Sequence, residues 1–150
     1  MNQPCELKNK RKVNMKSIAV RAFMGTLCLS AFPICAAEPM TVANMPPSVV
    51  STSPAAGQMN VDPSTSEIRV TFSKNMMTNR MWAVCQVSKE TYPQRSGDIH
   101  YLEDNRTCVV PVKLEPGKTY ILWFNQGKFN SFRDTENHPA VPYLLVFQTR

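Results

Sequence analysis

From Pro46 onward, apolar and polar positions alternate in short runs separated by turn residues. The clearest run is 67–73. Ile68, Val70 and Phe72 fall on one face and Arg69 and Thr71 on the other, which is the period of a half-buried strand. Similar runs at 48–53, 81–87, 98–101, 107–112, 119–125 and 143–149 make a set of about seven strands, the pattern of an all-β sandwich. Long helical periodicity is absent, and one helical turn is expected only within 74–80. Turn chemistry fills the gaps. Residues 55–58 read as a turn, and 60–64 as an irregular crossing with Asp62 and Pro63 in turn roles. Pro116 and Gly117 suit the two central positions of a type II turn. Tyr120 then opens the next strand, where its phenol can bond back to the preceding backbone as a tyrosine corner. In the last two strands both faces are apolar: Tyr120, Leu122 and Phe124 alternate with Ile121 and Trp123, and Tyr143, Leu145 and Phe147 with Leu144 and Val146. That pattern predicts central strands or a face covered by a loop, with a partner-binding patch around Trp123 as the alternative.

Residues 1–37 have a different grammar. Lys8, Lys10, Arg11, Lys12, Lys16 and Arg21 precede an apolar run over 22–36, a length that suits a secretory signal and is too short for a bilayer span. Small residues Cys35 and Ala37 place cleavage before Glu38. Met15 is an alternative start, which would leave 1–14 untranslated. The expected organisation is a signal peptide over 1–37, a flexible leader over 38–46 and one β domain over 47–150. A periplasmic or secreted location follows, with no integral membrane segment after cleavage.

The export signal also explains the charge. The chain carries +6, but 1–37 hold six Lys/Arg and one acid, leaving 11 basic and 10 acidic residues in 38–150. No Lys/Arg cluster follows Arg21, so the basic face that nucleic-acid binding requires is missing. Two of the five cysteines, Cys85 and Cys108, lie beyond the signal. An even pair in an exported chain predicts a disulfide, worth roughly 3 kcal/mol for this loop length on the chain-entropy argument.

Five short patterns in order resemble the SbsA-type bacterial Ig-like family. They are Pro47-x-Val49-x-Ser51-x-x-Pro54-Ala55-x-Gly57, then Asn60-Val61-x-Pro63, then Val70-Thr71-Phe72-Ser73-x-x-Met76, then Leu114-x-Pro116-Gly117-x-x-Tyr120. The fifth is a closing loop from Asp134 to Asn137 that lacks the family's glycine. The resemblance implies an Ig-like β-sandwich used as a spacer, adhesion or accessory module, with no shared catalytic residues and no cofactor. The expected partner is an envelope or extracellular protein.

Two other chemistries have candidate residues in this chain. A hydrolase needs a nucleophile, a His and an acid together, and after the signal only His100 and His138 are available, with no Gly-x-Ser-x-Gly elbow. The chain is therefore not expected to be an enzyme. The alternative is copper. Periplasmic copper carriers of the CopC type have a similar barrel, and Ser53 to Gly57, Asp134, His138 and Pro139 are similar to their motifs. Met76, Met77 and Met81 add thioethers suited to Cu(I). This chain departs from those carriers in having Glu38 where they start with His, and in a longer Asp134-to-His138 spacing.

Overall fold

The computed structural model describes residues 39–150, and the export signal expected over 1–37 lies outside the described residues. The chain forms eight strands: β1 (Val49–Ser53), β2 (Glu67–Phe72), β3 (Val84–Gln86), β4 (Gln94–Arg95), β5 (His100–Tyr101), β6 (Thr107–Lys113), β7 (Thr119–Phe124) and β8 (Tyr143–Gln148). One sheet has the order β1-β2-β6-β4, with β5 also on β6, and the other is β3-β7-β8. All strand pairs are antiparallel. This is the expected all-β sandwich.

Alternation decides which side chains fill it. Ile68, Val70 and Phe72 of β2 and Cys108, Val110 and Val112 of β6 form one inner face. Tyr120, Leu122 and Phe124 of β7 and Leu145 and Phe147 of β8 form the other. Phe132, from the β7–β8 connection, plugs one end, with its ring 5.1 Å from Phe72 and 5.8 Å from Phe124. Val109 of β6 points away from this core yet is also buried. Beyond Val109 that outer face opens, with Pro111 half-buried and Lys113 exposed.

The turns form as their residues dictate. Gly57 takes φ +80 in the 55–58 turn, closed by Gln58 N–H to the Ala55 carbonyl. The Asp62 carboxylate accepts the Ser64 amide, an Asx turn. Gly117 has φ +65, as the Pro116–Gly117 turn needs. The tyrosine corner is present: the Tyr120 hydroxyl accepts the Glu115 amide at 2.7 Å. Thr149 locks the same loop, donating to the Glu115 carbonyl and accepting the Lys118 amide.

Two local expectations change. The 74–80 segment is irregular instead of helical, because Met76 bridges Asp134 and its side chain joins the core. The strand expected over 81–87 shortens to β3. Upstream of it Arg80 turns the chain at φ +56, and the Met81 carbonyl accepts the Tyr101 hydroxyl.

Candidate functional site

Three places hold the residues that carry chemistry. The first is the loop between β7 and β8. Asp134 is buried and its oxygens are fully engaged. Oδ1 accepts the Glu136 and His138 amides, and Oδ2 accepts the Lys74 ammonium and the His138 ring, both at 3.1 Å. Burial alone would raise this carboxyl. The donors, led by the His138 amide and followed by Lys74 and the His138 ring, outweigh it and hold the carboxyl below its ordinary value. Lys74 also donates to the Ala43 carbonyl, so the pair ties the leader to this loop. Asn137 sits at φ +70, the left-handed conformation for which the related pattern uses glycine and which asparagine tolerates.

Asp134, Glu136 and His138 bring ligand-type atoms within 4.8 Å of one another. They do not fit a copper centre. The Asp134 oxygen nearest the imidazole already holds an ammonium, which a metal ion would have to displace. Of Met76, Met77, Met81, Asp134 and His138, the structure joins Asp134 and His138 by side chains. Met76 is a core residue, Met77 bonds through its amide to Arg133, and Met81 receives Tyr101.

The expected disulfide is not formed; Cys85 and Cys108 are free thiols. Strand register gives the reason. Cys108 pairs with Val70 and faces the core, whereas Cys85 pairs with Trp123, on the opposite side of β7 from Leu122 and Phe124. Their side chains therefore point away from any common axis, and bridging them would require turning a strand over. Burial pushes the Cys108 thiol up to about 12 and raises that of Cys85.

The second place is the outer face of the three-stranded sheet. Trp123 lies between Cys85 and Leu144 across the strands, and Ile121 opposes Val146. None of these five is buried, and Leu144 is 39% exposed. A groove of about 460 Å³ at the β3 edge, where Cys85 and Tyr92 meet the exposed Phe129, extends this apolar surface. The central-strand expectation holds for β7, which lies between β3 and β8, while on its second apolar face Leu144 is exposed and Cys85, Ile121, Trp123 and Val146 are partly exposed.

The third is a wider groove of about 640 Å³ between the 78–82 loop and β5, with Trp82 and Tyr101 in its wall. Its walls come from segments about 20 residues apart with no shared motif: the polar 78–80 loop is visible in the sequence as a place for binding, but its pairing with Asp98 to Tyr101 is not.

The residue that shapes the β7–β8 loop is not visible in the sequence either. Asn125, at the end of β7, is buried with φ +59. Its amide nitrogen donates to the Phe132 and Ala140 carbonyls, and its oxygen accepts the Phe132 amide, each at 3.0 Å. No buried side-chain polar atom lacks a partner among the described residues.

Comparison with solved structures gives the S-layer protein rSbsC(31-844) at 21% identity and TM-score 0.45, covering 71% of this chain and 14% of that one. A second structure, of surface layer protein SbsC domains 1-6, gives the same identity and TM-score over 70% of this chain and 14% of that one. The chain thus spans about a seventh of the length of those proteins. No curated protein matches. The family model described as bacterial Ig-like domain matches residues 43–149, and with the sandwich it describes, the chain belongs to the bacterial Ig-like domain family.

Proposed function

We propose that the chain is an exported, non-catalytic interaction module of the SbsA type that docks an envelope or extracellular protein through the outer face of β3-β7-β8. The observation that carries this reading is the partly exposed apolar row of Cys85, Trp123 and Leu144, flanked by Ile121 and Val146. Solvated sheet faces ordinarily alternate to polar, and a contiguous apolar face is a cost in water unless a partner covers it. Trp and Leu side chains projecting from a rigid sheet need little ordering to bind. Export is supported by the basic and then apolar pattern of 1–37.

The test uses envelope extracts of the producing cells. The immobilised protein should retain one partner. Leu144→Lys and Trp123→Lys should each weaken retention by about tenfold or more, the range of a central interface residue, while Val50→Lys on β1 leaves it unchanged. Equal retention by all four proteins would contradict the assignment of this face.

A further inference from the structure

We infer that the groove between the 78–82 loop and β5 is a binding site for a neutral oligosaccharide, separate from the apolar sheet face. Its volume of about 640 Å³ is that of a small-molecule site. Its lining is mixed in a specific way. Trp82 is half-buried: its body packs on the core cluster and the remainder lines the groove. Around it stand Arg80 as a donor, Asp98 as an acceptor, and Asn79 and His100 able to be either, all four exposed. One full cation and one carboxylate balance, so neither an anion nor a cation is favoured. A ring whose hydroxyls both donate and accept, and whose C–H face lies flat on an indole, matches this set.

The walls are held in place. The Tyr101 hydroxyl donates to the Met81 carbonyl at 3.0 Å, tying the loop to β5 across the groove. Arg80 holds φ +56, with its amide on the Thr78 carbonyl. The Asp98 carbonyl lies 3.2 Å from His100 Nδ1 and orients the ring. Such fixed walls lower the ordering cost of binding.

Other occupants fit less well. An extended peptide adding to the sheet needs a run of free main-chain groups. β5 is two residues long, and the Leu102 amide already turns back to the Thr107 carbonyl. A metal would find only one carboxylate and one imidazole in the lining.

The test is a titration of the purified protein carrying Trp123→Phe, so that Trp82 is its one indole in the described domain, with cellohexaose, maltohexaose and N-acetylglucosamine hexamer. At least one should shift the indole emission and saturate with a Kd of roughly 10 µM to 1 mM. Trp82→Ala should weaken binding at least about tenfold, read by calorimetry. Because Trp82 also packs on the core, Arg80→Ala and Asp98→Asn provide a second reading: each should weaken binding several-fold at an unchanged melting temperature. No saturation with any of the three sugars, or saturation unaltered by both Arg80→Ala and Asp98→Asn, would overturn the inference. So would tighter binding of an extended hexapeptide at the same groove.

Discussion

Replacing Asn125 by alanine tests how the β7–β8 connection is built. The substitution removes the side chain that accepts the Phe132 amide and donates to the Phe132 and Ala140 carbonyls. The Phe132 carbonyl keeps a partner, because it also accepts the Ala140 amide. One buried N–H and one buried C=O are then orphaned, each costing about 1–3 kcal/mol. Alanine at φ +59 adds roughly 1–2 kcal/mol of backbone strain. The sum is about 3–8 kcal/mol, and partial hydration of the loosened loop favours the lower half. Against a typical total of about 5–15 kcal/mol, this is a severe loss. Asn125→Gly separates the two contributions: it orphans the same groups but relieves the strain, and should be about 0.5–1 kcal/mol more stable than Asn125→Ala after the flexibility of glycine in the unfolded chain is subtracted. Asn125→Asp keeps the acceptor but aims a carboxylate at two carbonyls. Its folded form holds a proton that the unfolded form releases, so its stability should fall as pH rises from 4 to 8, opposite to the trend for a stabilised carboxylate. Urea unfolding followed by tryptophan emission measures all three. Asn125→Ala within about 1 kcal/mol of wild type would refute the reasoning, as would Asn125→Gly being the less stable of the pair.

Three further outcomes are expected. Tyr120→Phe leaves the Glu115 amide without its partner and should cost about 1–2 kcal/mol in the same urea assay, with the slope unchanged. The Asp134 carboxyl is lowered in the folded state, so its contribution is complete above its unfolded value of about 3.9 and is lost as pH falls through the folded one. Asp134→Asn should accordingly flatten the acid limb of a melting-temperature profile, and an unchanged limb would refute the role given to the Lys74–His138 pairing. A thiol reagent at neutral pH should modify Cys85 ahead of Cys108, which reacts only on unfolding, because Cys108 is sealed in the core with its thiol near 12. Rapid labelling of both in the folded protein would contradict the register of β6.

What could be read from the residues alone was what local geometry decides. The alternation of Ile68, Val70 and Phe72 marks β2 and its buried face, and Pro116, Gly117 and Tyr120 specify a turn and a corner within seven residues of chain. The rest depends on distant partners. Asn125 reads as a polar strand end; only the positions of Phe132 and Ala140 turn it into a core group. Lys74 lies 60 residues from Asp134, and nothing in either neighbourhood announces the ion pair. Cysteine parity is blind to strand faces: it predicts a bridge between Cys85 and Cys108, although register turns one outward and the other inward. Trp123 lies between these extremes: alternation marks a second apolar face, and only the sheet order and exposure place it centrally and partly in solvent.

The most direct measurement of the central claim is photo-crosslinking in the cell that exports the protein. A photoreactive phenylalanine replaces Leu144 on the outer face of the three-stranded sheet, or Ser51 on β1 as the control. A single discrete adduct of one envelope or extracellular protein from position 144, absent from position 51 and lost on Trp123→Lys, is the predicted result. An exposed face that yields no adduct, or yields the same products from both positions, would contradict docking through β3-β7-β8.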